Sequence, residues 1–257
     1  MSSPSGPPAA EPGAIPALAG YPVTSPPLSG PVTFEQRWAD LTFIHWPVRP
    51  ASVEGLYPPG TRPDLFADGM TYAALIPFML SGTKVGTALP VPYFGRFAET
   101  NVRLYSIDAA GRHGVLFRSL EAARLAVVPA MRIAPGVPYT WSKMRVTRRG
   151  DQITYDSVRR WPRRGLRSRL TIAIGDVVEP TPLEVWLTAR WGAHTRTAGK
   201  TWWVPNEHEP WPLRAAEIVE LSDELLEAGT VRPAAERLRA LYSPGVRNRF
   251  GLPRIVR

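Results

Sequence analysis

The chain has 257 residues, 44% of them hydrophobic, and a formal net charge of +9, enough apolar material for a substantial core without covalent staples. It contains no cysteine, which excludes disulfides, thiolate metal ligands and a cysteine nucleophile. Its four histidines, His45, His113, His194 and His208, lack H-x-x-x-H spacing, so neither a metal site nor a cofactor is expected.

Residues 1–32 are Pro, Ala, Ser and Gly with few large apolar side chains. Such a composition cannot offset its ordering entropy, and a disordered tail is expected. Ser25-Pro26-Pro27 is too short to count as a docking motif. No apolar run approaches the roughly 18 residues of a membrane span. The first basic residue is Arg37, so no secretory signal is read, and a cytoplasmic protein without a membrane partner is expected.

Residues 33–257 are read as one domain. Thr33, with Gln36 three residues on, matches a capping box and predicts a short helix through Trp38. Leu41 to Trp46 predicts a buried strand ended by Pro47 and Pro50. Gly69 to Leu80 predicts a second, with Pro77 marking an edge or a bulge. A Gly- and Pro-rich loop follows over Ser81 to Arg96.

Phe97 to Tyr105 is the stretch around which the rest is organised. As a strand it places Ala98, Thr100, Val102 and Leu104 on one face and Phe97, Glu99, Asn101, Arg103 and Tyr105 on the other. The first face suits packing beneath a helix. The second carries an acid, an amide and a guanidinium at alternate positions, which suits a small polar ligand if it lines a cleft. A carboxylate and a guanidinium at i, i+4 would hold each other ionised. A buried structural ion pair fits the same residues. Tyr105 and Tyr139 offer hydroxyl contacts to such a site, or simply pack.

Asp108 to Gly111 closes a hairpin whose partner is Gly114 to Ser119. Ser119 is placed to cap a helix over Ala122 to Val127, interrupted by Pro129. Pro138 to Arg148 and Ile153 to Arg160 form a second hairpin around Arg149-Gly150-Asp151; a turn accounts for that adhesion-like tripeptide. Arg167 to Asp176 is a strand, with Leu170, Ile172 and Ile174 on one face. Pro182 opens a short amphipathic helix. Trp202 to Val204 and Arg214 to Leu221 are strands. His208-Glu-Pro-Trp-Pro-Leu213 reads as a rigid corner that packs Trp211. Ser222 caps a helix over Asp223 to Ala228 stopped by Gly229, and the remainder around Ser243-Pro244-Gly245 is read as turns. Nine arginines lie between Arg145 and Arg169 against Asp151 and Asp156.

Trp46, Gly69 to Phe78, Phe97 to Tyr105, Gly114 to Leu120, Val137-Pro138-Tyr139, the His208 block and Tyr242-Ser-Pro-Gly245 together resemble a bacterial family. It is domain of unknown function 2071, the YqjF-like proteins, and the resemblance spans the chain beyond the tail. That family has no established activity. It is similar to the acetoacetate decarboxylase superfamily, which implies an α+β fold. The sheet would be an antiparallel, β-barrel-like double layer around a central cavity, with a few short helices.

In those decarboxylases a glutamate on an inward-facing strand lines the cavity, and Glu99 stands on the strand that looks equivalent. Their chemistry needs a Schiff-base lysine in a Pro-Lys-Lys element. The nearest match is Val137-Pro138-Tyr139-Thr140, which has none, and Lys143 lies several residues on. Schiff-base decarboxylation is not expected, and the sequence leaves open whether the protein is an enzyme.

The leading expectation is a cavity that binds a small polar or carboxylate-bearing molecule at Glu99, Asn101, Arg103, Tyr105 and Tyr139. The alternative is a basic, non-catalytic module. It would bind nucleic acid or another polyanion through Arg148, Arg149, Arg159, Arg160, Arg163 and Arg164. No nucleic-acid fold motif accompanies those arginines.

Overall fold

Strands dominate the computed structural model, which describes residues 18, 20–85, 96–133 and 136–257; β-strands buried on both faces, as over residues 71–78, stand beside ones that alternate, as over residues 152–159. The strands are β1 (Phe34–Val48), β2 (Thr61–Pro63), β3 (Thr71–Val85), β4 (Arg96–Asp108), β5 (His113–Ala122), β6 (Tyr139–Arg149), β7 (Gln152–Trp161), β8 (Arg167–Val177), β9 (Gly192–Thr197), β10 (Lys200–Glu207), β11 (Arg214–Asp223), β12 (Ala240–Phe250) and β13 (Arg254–Ile255). Among the described residues three short α-helices, α1 (Val127–Ile133), α2 (Pro182–Thr188) and α3 (Leu225–Ala228), and two 3-10 turns at Pro50–Ser52 and Glu54–Leu56 interrupt them. No helix among the described residues is long and apolar enough to cross a membrane.

The strands form one large sheet in the order β13-β10-β9-β5-β6-β7-β8-β11-β12-β1-β3-β4-β2. Extra pairings of β4 with β5 and of β10 with β12 fold it back on itself. Most neighbours are antiparallel, but β5 runs parallel to β6 and to β9, so the sheet is mixed.

Folding back gives the sheet two apolar interiors, and β4 serves both. Val102 and Leu104 enter one cluster with Ile153, Leu170, Ile172 and Leu225. Phe97 and Tyr105 enter the other with Phe43, Ile76 and Trp186. The apolar face of β4 therefore packs chiefly on other strands, with Leu225 of α3 at one side.

Several local expectations are corrected. Residues 34–38 open β1 and are not helical. Their alternation wins over the capping pattern: Thr33 Oγ1 donates to the Phe250 carbonyl, and Gln36 Oε1 accepts from Trp38 Nε1. Ser119 caps no helix, because β5 continues to Ala122 in register with β4. Pro129 does not break α1; it sits in the first turn, where its missing N–H leaves nothing unpaired. The cap of α3 comes from Asp223, whose Oδ2 accepts from the Leu225 and Leu226 amides. Residues 240–250, expected to be turn-rich, are the interior strand β12.

That last correction has a local cause. Gly245 has φ +115 and pairs with Ala39, the neighbour in sequence of Asp40, which has φ +49. The two irregular residues meet where β1 is bulged, between Ala39 and Ile44 in its pairing with β3. Pro77 lies in this interval, opposite Thr100 of β4. It therefore marks a bulge in an interior strand, one of the two expected positions.

The glycine- and proline-rich stretch begins later than expected, since β3 extends to Val85, and residues 86–95 lie outside the described residues. Of the N-terminal tail, residues 1–17 and 19 also lie outside them. Leu18 is buried in the core. Tyr21 Oη donates to the Ala189 carbonyl at 2.6 Å, and Trp191 Nε1 donates to the Pro22 carbonyl at 2.6 Å.

Candidate functional site

The polar face of β4 looks into a cavity of about 110 Å³. Glu99, Asn101 and Arg103 line it from β4, Tyr139 from the start of β6, and Phe34, Gln36 and Trp38 from β1. Arg190 follows α2, while His208 and Trp211 come from the segment between β10 and β11. Most of the remaining wall is apolar, including Phe43, Ile76, Phe78 and Phe117.

Glu99 is 3% exposed and accepts one side-chain hydrogen bond, from Tyr139 Oη to Oε2 at 2.9 Å. No cation lies within ion-pair distance of it among the described residues. Burial pushes its carboxyl up to about 8, and the Tyr139 bond offsets only part of that. Glu99 thus keeps its proton at neutral pH. The i, i+4 ion pair expected from the sequence does not form. Tyr139 is also buried, and burial with Glu99 beside it holds its hydroxyl well above the usual phenol range.

Arg103 is directed elsewhere. Its Nη2 donates to Tyr105 Oη at 3.2 Å and to the Leu187 carbonyl at 3.3 Å, and its Nε is buried with no partner. Tyr105 does not line the cavity. It stands behind Arg103, 0% exposed, with its hydroxyl 2.8 Å from His45 Nε2. Arg103 donates to that hydroxyl, and His45 is its second partner. Burial, and then the Arg103 charge, holds His45 well below the usual imidazole range. Asn101 is 6% exposed, and its Oδ1 is buried without a partner.

The sequence assigns His208 to a packing corner, and the structure gives it a second place as part of the cavity wall. Its Nδ1 lies 2.6 Å from the Glu209 carbonyl. Only an Nδ1–H can make that bond, which leaves Nε2 as the acceptor. Burial pushes the ring down to about 4, helped by the Arg103 charge and opposed by the Glu209 bond. Residues 208–213 are not in a strand. Arg190, which no sequence pattern singles out, pairs its Nη1 with Asp64 and stacks its guanidinium 3.9 Å over the Trp186 ring. His113 Nδ1 lies 2.8 Å from the same Asp64. Among the described residues no three His, Asp or Glu side chains converge in a way that would hold a metal ion.

None of the three lysines lines the cavity. Lys143 and Lys200 are exposed, and Lys84 lies near the end of β3.

The arginine-rich segment does not present one basic face. Arg159 is 5% exposed and is removed from the surface by a two-bond pair with Glu121, which also accepts from Ser142 Oγ at 2.6 Å. Its neighbour Arg160 points the other way and lies over the Trp141 ring at 5.3 Å. Arg148 reaches Asp40 and Tyr242, and Arg163 donates to the Ala228 carbonyl. Arg149 and Arg164 are exposed. Alternation along β7 is the cause, since adjacent residues of a strand face opposite sides.

A family model described as an uncharacterized conserved protein, domain of unknown function 2071, matches residues 35–247. The uncharacterized protein YqjF of Bacillus subtilis (strain 168) is 29% identical over 184 residues, covering 71% of this chain and 75% of that protein. Among solved structures, the enduracididine biosynthesis enzyme MppR complexed with pyruvate is similar with a TM-score of 0.64 at 12% identity, over 89% of this chain and 92% of that one. Acetoacetate decarboxylase of Legionella pneumophila is similar with a TM-score of 0.62 at 11% identity, over 97% of this chain and 98% of that one. At such identities these likenesses show the fold, which is acetoacetate decarboxylase-like.

Proposed function

The chain belongs to the family called domain of unknown function 2071, and we propose that its cavity binds a small carboxylate-bearing molecule. The observation that carries this reading is Arg103. It is a partly buried guanidinium whose hydrogen bonds go only to neutral oxygens and whose Nε has no partner. A charge held away from water is costly unless it is paired. Glu99, the nearest acid on the same face, holds its proton and does not supply the pairing. A ligand carboxylate would, through the bidentate geometry that guanidinium and carboxylate share.

The other polar groups suit the same ligand. Protonated Glu99 can donate to a ligand oxygen while accepting from Tyr139, and Asn101 offers an amide to a further polar substituent. Tyr105 would hold the Arg103 guanidinium in place from behind. The fold neighbour whose structure was solved with pyruvate is consistent with a cavity of this kind holding a small acid. With no lysine in the lining, this reading uses no Schiff base.

Thermal unfolding with acetate and pyruvate, set against acetamide and pyruvamide, tests it. A carboxylate at 100 times its dissociation constant should add about 2.7 kcal/mol, a rise in Tm of roughly 5 °C or more for a chain of this size. The amides should give no rise, and Arg103→Met should abolish the carboxylate response. An equal response to acids and amides, or one that survives Arg103→Met, would overturn the reading.

A further inference from the structure

We infer that the cavity takes a short hydroxy acid, of the size of glycolate or lactate, with its carboxylate between Arg103 and Arg190 and its hydroxyl on Asn101. This rests on the carboxylate reading above and adds the class of ligand.

The buried polar atoms that lack a partner outline what the ligand must supply. Four residues of the cavity wall carry one each among the described residues: Asn101 Oδ1, Arg103 Nε, Arg190 Nη2 and Thr195 Oγ1. A buried donor or acceptor left unpaired is costly, and folded proteins keep few of them. Two of these atoms are guanidinium donors, and the fold holds them near each other. Arg103 Nη2 donates to the Leu187 carbonyl and Arg190 Nε to the Trp186 carbonyl, adjacent residues of α2. Both guanidiniums also lie against the Tyr105 ring, 5.4 and 4.6 Å from its centroid. One carboxylate, with its two oxygens, can serve both.

A carboxylate has no hydrogen to give, so it leaves Asn101 Oδ1 unserved. Asn101 is 6% exposed, and that oxygen only accepts. It lies two residues from Arg103 on the same face of β4, a spacing of roughly 7 Å along the strand. The ligand must therefore donate a hydrogen close to its charged end. A hydroxyl beside the carboxylate does so, and an oxo group or a bare hydrocarbon does not. The hydroxyl oxygen can in turn accept from Thr195 Oγ1 or from the Glu99 carboxyl. An ammonium also donates, but it would set a further positive charge beside two guanidiniums. The size agrees: about 110 Å³ is below the about 150 Å³ of a cavity that holds benzene, which suits a short acid.

Isothermal titration of the full chain with matched acids tests the inference. Glycolate should bind about 10- to 100-fold more tightly than acetate, and lactate should exceed propionate and pyruvate by a similar factor. Glycine should bind no better than acetate. In Asn101→Leu the glycolate-to-acetate ratio should fall toward one while acetate still binds. Arg190→Lys keeps a charge beside Asp64 but deletes Nη2, and it should weaken glycolate and acetate alike by about tenfold. Should either variant fail to fold, the ratios on the wild-type chain decide. Glycolate no tighter than acetate, pyruvate as tight as lactate, or glycine as tight as glycolate overturns this inference and leaves the carboxylate reading standing. So does a glycolate preference that survives Asn101→Leu, or acid binding unchanged in Arg190→Lys. Glycolamide binding as tightly as glycolate, or no binding by any acid, overturns both.

Discussion

Replacing Glu99 by glutamine should make the protein more stable relative to wild type as pH rises. Folded Glu99 titrates at about 8 against an ordinary 4.5, because burial penalises its charge and Tyr139 compensates only in part. The folded state therefore binds a proton that the unfolded chain releases between those values. Stability from this proton is fully present below about 4.5 and is lost as pH rises to about 8, beyond which it changes no further. At roughly 1.4 kcal/mol per pH unit, the gap corresponds to an upper bound of roughly 5 kcal/mol. Glutamine keeps an oxygen for the Tyr139 hydroxyl and never ionises, so it escapes the loss. Urea unfolding of both proteins from pH 5 to pH 9 would measure it. The buried histidines titrate in this range too, but they are common to both proteins and cancel in the difference. The variant should gain on wild type from pH 5 to about pH 8 and then level off, by at least about 2 kcal/mol in all. A constant difference would refute the neutral, buried Glu99. A wild type that gained on the variant would point instead to an ionised Glu99 paired with Arg103, the arrangement that the strand pattern alone suggests.

Two further substitutions test the frame around the cavity. Glu121→Ala leaves Arg159 buried without its carboxylate and should cost about 3–5 kcal/mol in chemical denaturation. Combining Glu121→Leu with Arg159→Met removes both charges together and should recover most of that loss; failure to do so would mean that the pair is more than a self-contained ion pair. Gly245→Ala should destabilise by roughly 2 kcal/mol or more, since φ is +115 and the new Cβ would sit 1.9 Å from the Trp38 carbonyl oxygen. Gly150→Ala, also at positive φ but with nothing within 4 Å, should cost only about 1 kcal/mol.

How far the sequence carries depends on whether a feature is set along one strand or between several. The alternating faces of β4 are a local property, and they put Glu99, Asn101 and Arg103 on one side without any knowledge of topology; that this side meets a cavity is set by the fold. The hairpin at Gly150 and the capped helix at Pro182 are local in the same sense; Thr181 and Glu184 form the capping box there. The first residues of β1 mislead because Thr33 and Gln36 satisfy a capping rule that costs less to abandon than the pairing of β1 with both β3 and β12. Ser243-Pro244-Gly245 misleads because turn residues here accommodate the bulge at Asp40 and do not end a strand.

The charge state of the site is a different kind of property, and here the sequence fails for a physical reason. Glu99 and Arg103 are four residues apart on the same face of one strand, so a pattern pairs them. Which partner each takes depends on what the folded sheet brings to its head group. For Glu99 that is Tyr139, delivered by the parallel pairing of β5 with β6 at Leu120 and Tyr139. For Arg103 it is the Leu187 carbonyl at the end of α2 and the Tyr105 hydroxyl, itself braced by His45 of β1. Three long-range contacts thus pull an acid and a base apart that adjacency would have joined. The outcome is a proton-bearing carboxyl and an unpaired guanidinium in one cavity, which is the combination that a bound carboxylate completes.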